Sequence, residues 1–98
     1  MGKNEVIAKV KAYKKLLERY IQMDKMFLFG SYAKNNYRDD SDIDVAIVVD
    51  QAGVDFFAIN PLLWKLRREI DDRIEPILIE TKFDDGNFLQ EIEKTELK

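Results

Sequence analysis

Gly30-Ser31-Tyr32-Ala33-Lys34-Asn35-Asn36-Tyr37-Arg38-Asp39-Asp40-Ser41-Asp42-Ile43-Asp44-Val45 is the stretch whose reading decides the fold. Just ahead of it, Met26-Phe27-Leu28-Phe29 is a short apolar run closed by glycine, the pattern of a buried strand. Ser31 then caps a short helical turn over Tyr32-Ala33-Lys34, and Asn35 to Ser41 is polar loop. Asp42 to Val49 alternates and carries Ile43, Val45, Ile47, Val48 and Val49, a β-branched content that makes it the clearest strand in the chain. Residues i and i+2 of a strand project from one face, so Asp42 and Asp44 point together while Ile43 and Val45 point away. At about 4 Å in a surface-like dielectric, two such charges repel by ~4 kcal/mol. Either water screens the pair or a cation sits between its members.

Gly30-Ser31 adds a second element twelve residues before Asp42. Glycine at a strand-to-helix turn lets a ligand approach the backbone closely, and the helix start that follows presents unpaired N–H groups. Ser31 contributes a hydroxyl. The pair reads as a phosphate cradle built without a Walker loop, because Gly2, Gly30, Gly53 and Gly86 are too scattered for a P-loop or a G-x-G-x-x-G fingerprint. Each element taken singly has a bland alternative: a plain strand-to-helix turn, or two acids at a solvated strand start.

Outward from this unit, Asn4 caps a helix expected to run to about Gln22, with Val6, Val10, Tyr13, Leu17 and Tyr20 on one apolar stripe. Lys9, Lys11, Lys14, Lys15 and Arg19 lie mostly off the stripe and read as a solvated face. Residues 50–59 are irregular around Gly53, with an apolar patch at Phe56-Phe57. Asn60-Pro61 is an N-cap and N1 pair starting a helix that ends near Arg73. Leu62, Leu63, Leu66 and Ile70, with Trp64 beside them, form its buried side. Ile74 to Glu80 reads as a third strand, which Pro76 places at a sheet edge or near a strand start. Asp84-Asp85-Gly86-Asn87 has turn chemistry, and Phe88 to about Glu96 is expected as a last, weakly amphipathic helix. The expected order is α-β-α-β-α-β-α: an α/β (α+β) chain with a small mixed sheet packed by helices, in one domain spanning residues 1–98.

Composition narrows the chemistry. The chain has no cysteine and no histidine, which removes disulfides, thiolate metal sites, serine–histidine and cysteine–histidine catalysis, and HExxH zinc sites. An enzyme built from it must work with carboxylates, hydroxyls, lysines, arginines and bound ions. No apolar run approaches the ~20 residues of a membrane-spanning helix and no signal-peptide pattern opens the chain, so a cytoplasmic protein is expected. Residues 1–23 hold six Lys/Arg against two Glu, while residues 24–98 hold ten against seventeen acids. A basic helix on an acidic body argues against direct nucleic-acid binding.

Residues 30–45 together resemble the G-S-x-A-[RK]-G-x5-S-D-[IVL]-D-[LV] motif of the minimal nucleotidyltransferases, in the DNA polymerase β-like superfamily. Gly30, Ser31, Ala33, Lys34, Ser41, Asp42, Asp44 and Val45 match in register; Asn35 stands where that family usually has glycine. Asparagine is among the residues that best tolerate a left-handed backbone, so the departure is mild. The resemblance implies a nucleotidyltransferase fold and Mg2+-dependent transfer of a nucleoside monophosphate, AMP from ATP, to an acceptor hydroxyl. It implies that Asp42 and Asp44 hold metal and that Gly30 and Ser31 bind the β- and γ-phosphates. Lys34, Arg38 and Ser41 are further candidates for phosphate binding. The superfamily needs a third carboxylate on a neighbouring strand, and Glu75 is the candidate, again departing from the commoner aspartate; two ions are implied when nucleotide is bound. Glu80 and Asp72 read as surface charges. Small members of this family are often encoded beside a helical HEPN-family protein, which they neutralise by binding or by adenylylation. A HEPN-like partner or a homodimer is therefore expected, with Tyr37, Phe56 and Phe57 as candidate contact residues; an antitoxin that acts by binding alone is the alternative.

Overall fold

The computed structural model describes residues 2–38, 40–49, 56–80 and 94–97. Its elements are α1 (Lys3–Leu17), β1 (Lys25–Phe29), α2 (Ser31–Lys34), β2 (Ile43–Val49), α3 (Phe56–Leu66) with a 3-10 turn over Arg67–Glu69, β3 (Ile74–Glu80) and β4 (Lys94–Leu97). They form one four-stranded sheet in the order β3-β2-β1-β4. β1 runs antiparallel to both β2 and β4, and β2 runs parallel to β3. The parallel pair needs a crossover, which α3 supplies. A mixed sheet packed by helices is the expected class, and Pro76 does lie on an edge strand.

The main core lies between one face of the sheet and α1 and α3. Met26 and Leu28 of β1, Ile43, Val45, Ile47 and Val49 of β2, Ile74 of β3 and Leu97 of β4 meet Val6, Val10, Tyr13 and Leu17 of α1 and Leu63 and Leu66 of α3. Each fully buried aliphatic chain contributes ~1.5–3 kcal/mol, so this face carries most of the fold's stability. Tyr13 is the polar exception. Its hydroxyl donates to the Leu63 carbonyl at 2.7 Å, tying α1 to α3, and burial pushes its pKa upward, against the opposing pull of Arg67. The opposite face is thinner: Phe27, Ala46 and Val48, flanked by Phe29 and Ile79. The candidate site stands at one end of that face.

Several expectations are corrected. α1 starts at Lys3 with Gly2 as its N-cap, so Asn4 lies inside the helix. It stops at Leu17, where a turn over residues 18–20 leaves Tyr20 55% exposed. The next helix begins at Phe56, five residues before Pro61, which sits inside it. Ile59 packs on the core together with Leu62, Leu63 and Leu66. The apolar stripe thus reaches a turn further back than Asn60-Pro61, and its burial outweighs the N–H that proline withholds. Trp64 is not on the buried side; it is 38% exposed, with the Arg67 guanidinium 4.7 Å above its ring. Finally, the end of the helix expected over Phe88–Glu96 is a strand: Lys94–Leu97 pairs with β1 from Met26↔Leu97 to Phe29↔Lys94. Leu97 enters the core and its carbonyl accepts from Lys14 Nζ at 2.9 Å, so sheet pairing overrides a weak helical pattern. The expected turn at residues 84–87, residues 88–93 and the loop around Gly53 lie outside the described residues. Among the described residues, no helix is long and apolar enough to cross a membrane.

Candidate active site

Strand register assembles the site. Phe29 lies opposite Asp44 in the β1–β2 ladder, and Asp44 lies opposite Glu75 in the β2–β3 ladder. The row Phe29–Asp44–Glu75 therefore crosses three strands on the face that carries Ala46 and Val48, and Gly30 follows Phe29 at its end. Asp42, exposed at the loop just before β2, completes the acidic end of that face.

Gly30 is required twice over. Its backbone sits at φ 70°, ψ −148°, where L side chains are strained, and it is the N-cap of α2. A methyl group added at Gly30 would overlap Oδ2 of Asp44. The bare Cα is what lets the Asp44 carboxylate lie against the Gly30-Ser31 turn. Ser31 is the first residue of α2 and is half-buried, so it starts the helical turn and does not cap it. At the other end of α2, Asn35 adopts φ 62°, ψ 27°, the left-handed conformation for which glycine is the usual residue. Its N–H turns back to the Ser31 and Tyr32 carbonyls, and its side-chain oxygen accepts from Lys3 Nζ at 2.9 Å.

The loop into β2 is closed by Ser41. The Arg38 N–H donates to Ser41 Oγ at 2.7 Å, and the Ser41 N–H donates to the Arg38 carbonyl at 3.0 Å. Tyr32 and Tyr37 stack with ring centroids 4.5 Å apart, and the half-buried Tyr37 packs against the core. Lys34 and Arg38 are exposed, and among the described residues neither makes an ion pair with the acidic row. Phe57 is 94% exposed; the Phe56 side chain lies outside the described residues. Glu80, at the far end of β3, and the exposed Asp72 stand apart from the site.

Three carboxylates act on one another here. Burial raises the Asp44 pKa to about 6, and the charges of Glu75 and then Asp42 push in the same direction. Oxygen-only acidic donors with a like-charge excess suit Mg2+, which accepts one or two carboxylates and takes its remaining ligands from water and phosphate. Among the described residues, no three acidic groups are gathered tightly enough to encage an ion by themselves. Asp42 and Asp44, with Glu75 beside them, fit a metal shared with a bound triphosphate.

A neighbouring turn, which the sequence reading passed over, is held differently. Asp71 accepts from Lys9 Nζ at 2.8 Å and from the backbone N–H of Arg73 at 2.8 Å, and the Arg73 guanidinium also reaches it at 3.0 Å. An aspartate two residues ahead of a backbone N–H is the signal of an Asx turn, and Asp71-Asp72-Arg73 carries it just before β3.

A glycine-serine strand-to-helix turn, set against acidic residues at the start of β2 and of the neighbouring edge strand β3 in a mixed sheet, defines the class as the nucleotidyltransferase fold. The sequence profile of the family described as polymerase beta, nucleotidyltransferase matches residues 11–97, and the chain belongs to that family. It is similar to two proteins of Methanocaldococcus jannaschii provisionally named protein adenylyltransferases. One is 39% identical over 49 residues, 48% of this chain and 50% of the relative. The other is 47% identical over 45 residues, 46% of this chain and 42% of the relative. The matches thus span half or less of those relatives' length. The crystal structure of a protein from Sulfolobus solfataricus provisionally named a nucleotidyltransferase shares the fold, with a TM-score of 0.71 over 96% of this chain and 80% of that one, at 18% identity.

Proposed function

We propose that the chain transfers a nucleoside monophosphate, AMP from ATP, to an acceptor hydroxyl, on a partner protein or on a second copy. The observation that carries this reading is the Asp44 carboxylate, seated against Gly30 and opposite Glu75 on the neighbouring strand. The M. jannaschii relatives, named as protein adenylyltransferases, support adenylyl transfer in particular. In the reaction, the acceptor oxygen forms a bond to the α-phosphorus while the bond from that phosphorus to the pyrophosphate oxygen breaks, and pyrophosphate leaves. Mg2+, when bound, neutralises phosphate charge and supports the attacking and leaving oxygens of an in-line displacement. Asp42 and Asp44 would hold that metal, and Glu75 would complete a second metal position and could accept the acceptor's proton. The Gly30-Ser31 turn receives the β- and γ-phosphates, with backbone N–H groups and the Ser31 hydroxyl as donors. Lys34 and Arg38 can close over the phosphates from the exposed rim, while Ser41 shapes the loop that delivers Asp42.

The test is incubation with Mg2+ and α-labelled ATP, with and without lysate of the source cells, repeated with Asp44→Asn. Label transferred to protein by the wild type and abolished by Asp44→Asn supports the enzyme. Nucleotide binding that ignores both Mg2+ and Asp44→Asn contradicts the site.

A second reading, binding of a HEPN-like helical partner with little or no catalysis, is favoured by one feature. Phe57, Asn60, Pro61 and Trp64 of α3 and Pro76 and Ile77 of β3 line an apolar groove. A large apolar side chain as exposed as Phe57 suits a protein contact. Transfer and partner binding are compatible, because the groove and the carboxylate row use different residues.

A further inference from the structure

The geometry points to Asp71 as a positioning residue that sets the register between the Asp42-Ile43-Asp44 segment and Glu75. It rests on the nucleotidyl-transfer reading above and adds a residue that does not touch nucleotide or metal. The argument begins with one backbone bond. The Ile43 N–H donates to the Arg73 carbonyl at 2.8 Å, at the very start of the parallel β2–β3 ladder. That bond fixes Ile43 opposite Ile74 and hence Asp44 opposite Glu75. A strand's side-chain period is two, so a slip of one residue would turn Glu75 to the other face of the sheet.

The Arg73 carbonyl is therefore the datum from which the acidic row is laid out, and Asp71 is what holds Arg73. Oδ1 of Asp71 accepts from the Arg73 N–H at 2.8 Å and from Nε at 3.2 Å, and Oδ2 accepts from Nη2 at 3.0 Å. The Asp71 backbone joins in, its carbonyl accepting from the Ile74 N–H at 3.2 Å. Only 10% of the Asp71 side chain is exposed, and Lys9 of α1 takes up its remaining charge. Arg67 grips the same turn from outside, donating to the Asp72 and Ile74 carbonyls. The Lys9 half of the network ties a helix to the turn. The Arg73 half sets the ladder. This division separates a positioning role from a purely structural one.

The test compares the wild-type chain with Asp71→Ala, Asp71→Asn and Lys9→Met by three readouts. The first is amide hydrogen exchange at Ile43 without metal. The second is the Mn2+ dissociation constant from electron paramagnetic resonance, with a non-hydrolysable ATP analogue present. The third is thermal unfolding. Lys9→Met is expected to lower the melting temperature while leaving Ile43 protection intact and Mn2+ affinity within about twofold, whereas Asp71→Ala accelerates exchange at Ile43 and weakens Mn2+ by ~10–100-fold, as loss of an outer-shell partner does. Asp71→Asn keeps an acceptor for the Arg73 N–H and falls between them, which serves if Asp71→Ala does not fold. Equal loss of stability in the Asp71 and Lys9 variants, with Ile43 protection and Mn2+ affinity unchanged in both, would overturn the assignment. If the wild type binds no Mn2+, the nucleotidyl-transfer reading fails, while exchange at Ile43 still decides whether Asp71 holds the register.

Discussion

Asp44 and Asp71 are both partly withdrawn from water and lie on adjoining parts of the sheet's end, yet they are treated in opposite ways. Around Asp71 the chain gathers Lys9 and Arg73; burial opposes ionisation there, but the hydrogen bonds from those two residues win and hold the pKa at about 2. Around Asp44 the charged neighbours are Glu75 and Asp42, and with burial acting in the same direction the pKa rises to about 6. A carboxylate provided with cations stabilises the fold that contains it. One surrounded by other carboxylates costs stability until a cation arrives from outside, and such groups collect at functional sites. The contrast separates what the end of the sheet is braced by from what it is for.

Neutralising each residue should sharpen the contrast most. On the proposed mechanism, Asp44→Asn is expected to lower label transfer by more than ~100-fold, beyond the 10–100-fold typical of outer-shell partners, because it would remove a metal ligand and not its support. A transfer rate within a few-fold of wild type breaks the comparison. Gly30→Ala comes next. It forces a methyl group onto the Asp44 carboxylate at a positive φ, and chemical denaturation should show a loss of ~1–3 kcal/mol, the range for a strained backbone conformation. Pairing Gly30→Ala with Asp44→Gly, which clears the space, should recover the steric part of that loss.

The pH profile of stability without metal carries both signs. For Asp44 the folded pKa of about 6 lies above the ordinary 3.8, so the folded state holds its proton longer, and stability falls as pH rises from about 4 to about 6. For Asp71 the folded pKa of about 2 lies below 3.8, so its contribution is complete above about 4 and disappears as pH falls towards 2. Melting temperatures across pH 2–8 should show both limbs. Asp44→Asn should flatten only the upper limb, and Asp71→Asn only the lower. Smallest of all is Asn35→Gly: the left-handed residue is replaced by the one that adopts the conformation most easily, and stability should change by less than about 1 kcal/mol.

Much of this was legible in the sequence, for identifiable reasons. β2 was legible from its β-branched run, and period two set Asp44 on the face opposite Ile43 and Val45; Glu75 came from the family resemblance, and the β2–β3 register sets it opposite Asp44. Asn35, where the resembling family has glycine, is a residue type that tolerates the left-handed backbone it adopts. What escaped depended on packing between distant parts of the chain. Lys94-Thr95-Glu96-Leu97 has too few apolar residues to look like a strand, and it becomes one because β1 offers a free edge and the core accepts Leu97. Asn60-Pro61 is a sound helix start locally, but Ile59 draws the helix back to Phe56. Lys9 looked like one more solvated lysine, since nothing local shows Asp71 sixty-two residues away.

Thermal unfolding of the wild type and Asp44→Asn at pH 8, each with and without Mg2+-ATP, tests the central claim most directly. Without ligand, Asp44→Asn should melt above the wild type, because it removes a carboxylate that is crowded by two others. With ligand at 100 times its dissociation constant, the wild type should gain ~2.7 kcal/mol, roughly 10–20 °C for a domain of this size, and overtake a variant that gains little. That inversion is what the account predicts. A variant that melts no higher than wild type without ligand, or gains as much with it, would contradict a site in which Asp44 is kept for a bound metal.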